Sequence, residues 1–209
     1  MNKNSDYSEY FDYYQNEENN KQIIGEINNA LDLLEKWYLK IVSPAGTPKI
    51  SRARKMSYCF KEGDVVEGHG LELGFGMGTA TFALLDRFPN ITLDGIDFQQ
   101  TFAKIIPYFT DLYGDKIGEY WIGDMQSTEK PDNYYDFINS QSIWEHLTEE
   151  VYWNTLKECY RILKPGGKIY VYVDQGPGPE HIRVVPPFVT RQEMEYVGFK
   201  GITDYVYEK

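Results

Sequence analysis

Two apolar periods take turns along this 209-residue chain after residue 70. Short runs with strand character cover residues 71–73, 91–97, 118–122, 135–139 and 168–173. Between them lie stretches with helical spacing. One runs from Thr79 to about Phe88. Another covers 102–112, with Pro107 either kinking it or starting its second part. A third follows Thr148, a good N-cap with Glu149 and Glu150 behind it, and carries a stripe of Tyr152, Leu156, Cys159, Tyr160 and Leu163. Strands alternating with helices predict an α/β fold: a doubly wound, mostly parallel sheet with helices on both faces. Lys164-Pro165-Gly166-Gly167 reads as the turn into the fifth strand. Residues 189–196 read as a short helix with Thr190 as N-cap and Glu193 at the capping-box position. A last strand over 201–207 ends so close to Lys209 that an abbreviated far edge, short of a full antiparallel pair, is expected.

The first third has a different pattern. Ile23, Ile27, Ala30, Leu31, Leu34, Tyr38 and Ile41 form one helical stripe, broken by Pro44, Gly46 and Pro48. Tyr7, Tyr10, Phe11 and Tyr14 share a face further upstream, either packed on the body or serving as an aromatic lid. The chain therefore divides into a helical cap over residues 1–62 and a ligand-binding domain over 63–209.

The chemistry concentrates where a strand meets a helix. Leu71-Glu72-Leu73 runs into Gly74-Phe75-Gly76-Met77-Gly78, and a helix opens at Thr79. Strand, glycine turn and helix N-terminus together let a ligand press against bare backbone. The pattern is G-x-G-x-G, with Thr79 where a dinucleotide fingerprint has its third glycine. Asp97 ends the second strand, 19 residues beyond Gly78 (97 − 78). A carboxylate there is placed to accept from ribose hydroxyls, whether the ligand is a nicotinamide or another adenosine compound. Phe98 beside it is placed to lie on an adenine face. Gly123-Asp124-Met125 follows the third strand, and Gln141 to Leu147, including Glu145 and His146, follows the fourth.

These marks, in this order and closed by Leu163 to Gly167, resemble the class I S-adenosylmethionine-dependent methyltransferases over roughly Gly70 to Phe199. The resemblance implies a Rossmann-like sheet with S-adenosyl-L-methionine as cofactor and S-adenosyl-L-homocysteine as product. It also implies cofactor contacts from Glu72, Gly74, Gly76, Met77, Gly78, Asp97, Phe98, Gly123, Asp124, Met125 and Gln141. Glu72 would lie under the methionine end. Asp124 would accept from the adenine amine, and the Met125 amide would donate to a ring nitrogen. Glu145-His146-Leu147 resembles the segment common after strand four in small-molecule members. His146 is the candidate general base, the alternative being a histidine that orders its loop, and Glu145 is a second candidate.

Charge and composition narrow the acceptor. A net charge of −11 argues against sequence-independent nucleic-acid binding. Lys49, Arg52, Arg54, Lys55 and Lys61 form an acid-free basic segment, either solvated or fit to hold a carboxylate or phosphate of the substrate. The N-P-P-Y type sequence of exocyclic-amine methylation is missing, and so is a Pro-Cys nucleophile. No Cys/His cluster has metal-ligand spacing, so no metal is expected. The expectation is methyl transfer to a small-molecule O or N acceptor, anionic if the basic segment binds it. A protein that binds the cofactor without methylating anything, and a nicotinamide oxidoreductase, are the alternatives. With two cysteines, Cys59 and Cys159, no signal-like start and no 18-residue apolar run, the chain reads as cytoplasmic, with a buried thiol at Cys159 and a monomeric or homodimeric state.

Overall fold

A computed structural model describes residues 59–61, 63–76, 78–175 and 181–209. The cap stripe, the tyrosine-rich face and Lys49 to Lys55 lie outside them. The described elements are β1 (Gly68–Leu73), α1 (Thr79–Arg87), β2 (Ile91–Asp97), α2 (Ile106–Tyr113), β3 (Ile117–Ile122), β4 (Tyr135–Gln141), α3 (Glu149–Ile162), β5 (Leu163–Tyr172), α4 (Pro187–Val197), β6 (Lys200–Gly201) and β7 (Val206–Glu208). Short 3₁₀ turns cover Gln100–Ile105, Gly114–Lys116 and Trp144–His146.

The strands form one sheet in the order β3-β2-β1-β4-β5-β7-β6. The first five in that row are parallel, while β7 is antiparallel to both β5 and β6. Central parallel strands are apolar on both faces because helices cover both. One layer joins Leu71, Leu73, Ile96, Ile138, Ile169 and Val171 to Tyr152, Leu156, Cys159 and Ile162 of α3 and Met194 of α4. The other sets Leu93, Phe137 and Tyr170 against Leu84 and Leu85 of α1 and against Cys59 and Phe60. Phe60 stacks on Tyr170 with ring centroids 4.3 Å apart. Both cysteines are buried free thiols, and burial pushes Cys59 up to about 11.

Three expectations change in detail. The closing antiparallel pair is present, though its strands are only two and three residues long. It is secured by paired amides: Gly166 N donates to Lys209 O at 2.8 Å and Lys209 N to Gly167 O at 3.0 Å. Leu163 to Gly167 is therefore a bulged start of β5 rather than a free turn. Thr190 is no N-cap: α4 begins at Pro187, a residue whose fixed φ suits the first turn, and Thr190 is buried inside the helix. Of the two readings of Pro107 the second holds: it lies in the first turn of α2, which begins at Ile106 after a 3₁₀ turn.

Strand order reverses at β1, which has β2 on one side and β4 on the other. Open α/β sheets bind ligands at the carboxyl ends of their strands at such a switch point. The ends of β1, β2 and β4, and the chain beyond β5, carry the sequence motifs there.

Candidate active site

At the end of β1 the chain turns through three glycines with positive φ, at 69° for Gly74, 48° for Gly76 and 74° for Gly78. Left-handed backbone of this kind costs most side chains energy. Gly78 has a second constraint, since a Cβ there would fall on the ring of Phe109. The turn packs on Phe75, Phe82, Phe109 and Tyr120, an aromatic cluster from three elements and the turn itself.

Asp97 holds this turn to β2. Its Oδ2 accepts from Gly76 N at 2.9 Å and its Oδ1 from Gln99 N at 2.9 Å. Burial pushes its carboxyl up to about 6 even though these amides pull the other way. Glu72, 2% exposed, lies one layer below and accepts from the Thr81 hydroxyl. Burial drives Glu72 up to about 8, with a smaller contribution from the Asp97 charge.

A cleft opens above these acids. It is lined by Gly74, Gly76, Asp97, Phe98, Met125 and His146, all expected there, by Ser142, Ile143 and Leu147 of the same loop after β4, and by Phe102. Ser142 carries φ 57°, and a non-glycine residue in left-handed conformation beside a cleft is a mark of built strain. Nothing in the sequence of Ser142 announces that conformation.

The remaining expected residues stand outside the lining. Gly123 N donates to Asp97 O at 2.8 Å and so fixes the loop after β3 to the end of β2. Asp124 is exposed and accepts from Gln126 N at 2.9 Å. Gln141 turns to the α1 face, donating to Asn139 Oδ1 at 3.0 Å and toward Cys59 Sγ at 3.4 Å. Met77 lies outside the described residues.

Glu145 is fully buried behind His146. Its Oε1 accepts from Asp174 N at 3.1 Å, while its Oε2 has no hydrogen-bond partner among the described residues. Burial pushes it up to about 7, opposed by its own amide, the Asp174 amide and the His181 charge. Candidate ligand atoms of Glu145, His146 and His181 all lie within 4.8 Å of one another. Residue spacing hid this group, because His181 follows His146 by 35 residues (181 − 146).

Residues 71–167 match the family described as "Methyltransferase domain". Over those residues the chain carries a methyltransferase domain, and its relatives and fold support the class I S-adenosylmethionine-dependent methyltransferase family. Its cofactor is S-adenosylmethionine, and the cleft fits that group: bare glycine backbone, two buried carboxylates and the rings of Phe98 and Phe102 line or underlie it. The nicotinamide alternative falls away. The chain is 31% identical over 101 residues to the "Uncharacterized methyltransferase YdaC" of Bacillus subtilis (strain 168), covering 47% of this chain and 51% of the relative. It is 32% identical over 101 residues to the "N-terminal Xaa-Pro-Lys N-methyltransferase 1-A" of Xenopus laevis, covering 48% of this chain and 45% of that one. The chain thus spans about half the length of the curated relatives it matches. A solved SAM dependent methyltransferase from Archaeoglobus fulgidus shares the fold at 21% identity with a TM-score of 0.58, over 78% of this chain and 74% of that one. Among the described residues, no helix is long and apolar enough to cross a membrane.

Proposed function

We propose that this methyltransferase transfers the sulfonium methyl of S-adenosylmethionine to a nitrogen or oxygen of a small molecule. The observation that carries this reading is the Asp97–Gly76 bond. It joins a buried acid at the end of β2 to a glycine turn and orients both toward one cleft. In this reading Asp97 accepts from the ribose hydroxyls with its remaining lone pairs, and Phe98, Phe102 and Met125 border the adenine. Gly74, Gly76, Met77 and Gly78 give their backbone to the methionine end above Glu72. Gly123 and Asp124 approach the adenine edge, and Gln141 acts from below the cleft. The acceptor enters on the side of Ser142 and His146. The reaction is an in-line displacement: the acceptor lone pair forms its bond to the methyl carbon as the carbon–sulfur bond breaks and its electrons return to sulfur. Alignment and water exclusion supply most of the acceleration. His146 takes the acceptor's proton where one must leave, and Glu145 holds the loop that carries it. The reading extends to a cytoplasmic, monomeric or homodimeric protein with a lid formed by residues 1–62.

The similarity to an N-terminal Xaa-Pro-Lys N-methyltransferase supports a second acceptor class, a peptide amino terminus. A labelled-methyl assay separates the two. Small acids, amines and phenols are tested beside a peptide beginning Ala-Pro-Lys. Label on a small acceptor supports the first reading, and label on the peptide alone replaces it with the second. Tight cofactor binding with no label on either set would make this a cofactor-binding protein.

A further inference from the structure

We propose that Glu145, His146 and His181 form a binding site for one first-row divalent transition-metal ion, on the acceptor side of the cleft. Two imidazoles and a carboxylate suit zinc, manganese or iron(II) better than magnesium or calcium, which prefer all-oxygen sets. The ligand atoms already lie within 4.8 Å of one another. Around a tetrahedral zinc with bonds near 2.1 Å, neighbouring ligand atoms are roughly 3.4 Å apart. The contraction required is small enough for side-chain rotation.

Two further observations point to a ligand. The Oε2 of Glu145 is buried and has no hydrogen-bond partner among the described residues, although Oε1 is held by the Asp174 amide. A buried carboxylate oxygen without a donor is costly, and a cation removes that cost. His181 is also brought to the site by contacts that have nothing to do with an ion. Arg183 N donates to Glu145 O at 3.0 Å. The Arg183 guanidinium lies 3.9 Å from the centre of the Tyr152 ring and pairs with Glu193. Glu193 in turn accepts from the Tyr152 hydroxyl at 2.8 Å. The third ligand is thus positioned before any ion arrives, as a binding site requires.

His146 is shared between this group and the cleft lining. An ion bound there turns its open positions toward the acceptor. It would favour an acceptor that carries a ligating oxygen next to the atom to be methylated, and would lower the pKa of a bound hydroxyl. Ion binding itself does not depend on the methyl-transfer reading; this role for the ion does.

The test uses the full chain, stripped with a chelator and titrated separately with zinc and manganese chloride by calorimetry, with metal content measured after dialysis. S-adenosylmethionine affinity is measured on the same samples. One ion per chain is expected. His146→Ala and His181→Ala should each weaken binding at least tenfold. His69→Ala, which removes the only other histidine, should leave it unchanged. Should His146→Ala fail to fold, His181→Ala decides alone. The site is refuted if neither metal binds at millimolar concentration, if both site variants bind like the parent, or if His69→Ala loses as much. Cofactor binding by a chain that takes up neither metal refutes this site alone. An ion bound where no cofactor binds refutes the methyl-transfer reading alone.

Discussion

On each side of the cleft a backbone amide donates to a buried carboxylate: Gly76 to Asp97 at 2.9 Å and Asp174 to Glu145 at 3.1 Å. The two bonds are built from different information. The first joins the ends of β1 and β2, neighbouring strands linked by a single helix, and its amide belongs to a residue with φ 48°. A conformation of that kind selects glycine, and a short crossover sets where the acid must come. The second joins the loops beyond β4 and β5, and its neighbours His181 and Arg183 come from farther along the same connection between β5 and α4. None of Glu145, Asp174 and His181 has a positive φ, so backbone conformation does not select those residue types. In the proposed reading the cofactor side is therefore recognised through the main chain and admits little change, and the acceptor side through side chains that can be exchanged while the fold is kept.

Gly78→Ala should produce the largest effect, on the cofactor side. The new methyl meets the Phe109 ring and the residue keeps φ 74°. Overpacking and left-handed strain together should cost about 3 kcal/mol in urea unfolding. Gly76→Ala meets no atom of the described residues within 4 Å of its Cβ and should cost about 1 kcal/mol. Equal losses would mean that packing around the turn does not distinguish the two glycines.

Asp97→Ala comes next. It removes a charged acceptor from the ribose and should weaken cofactor binding by roughly 2–3 kcal/mol in calorimetry. Because burial sets Asp97 near 6, parent affinity should fall as pH drops through 6, where the carboxyl gains a proton and loses accepting capacity. Asp97→Asn should show no such fall. Unchanged affinity in the alanine variant would remove Asp97 from the site.

Glu72→Gln tests the layer below. Its folded pKa, about 8, lies above the ordinary 4.5, so the neutral acid is the form the fold prefers. That stability is complete below 4.5 and is lost as pH rises through 8. Each pH unit inside this window removes about 1.4 kcal/mol. Parent stability without cofactor should fall by roughly 2 kcal/mol between pH 6 and 8 from this group, and the glutamine variant should lack that fall. Thermal melts at the two pH values decide it.

The same contrast explains what could be read from sequence. The parallel sheet, the glycine turn and Asp97 were legible because each follows from a local rule: apolar period, positive φ, acid at a strand end. The start of α4 was misread because Thr190 resembles a cap. Proline at 187 supplies the first turn instead, and the threonine is drawn into the core with Met194. Phe102, Ile143 and Leu147 do not stand out as cleft residues because apolar side chains after a strand look the same whether they face core or cavity, and Ser142 does not because its residue type gives no sign of its left-handed backbone. Asp94 was missed as well. It is buried in β2 and takes donors from Tyr135 at 2.7 Å, His69 at 2.9 Å and the Glu119 amide at 2.8 Å. Burial raises its carboxyl, and those three donors more than reverse the shift. The donors come from β1, β3 and β4, so only the folded sheet shows why an acid stands in the middle of an apolar strand.

Asp124 should give the smallest effect and the sharpest test of how far the cofactor side extends. Its position after β3 matches the acid that the family resemblance assigns to the adenine amine. Yet its carboxylate is exposed and already receives the Gln126 amide at 2.9 Å and the Gln126 side chain at 3.3 Å. A solvated acceptor with local donors exchanges one set of partners for another on binding, so its net contribution is small. Asp124→Ala should weaken cofactor binding by no more than about 1 kcal/mol, roughly fivefold, against a much larger loss for the buried Asp97. Adenosine alone should report the same ratio, because both acids would act on the nucleoside. If the two variants lose equally, Asp124 must leave Gln126 and become enclosed when the cofactor binds. The division between a fixed cofactor side and an exchangeable acceptor side would then have to be redrawn at β3.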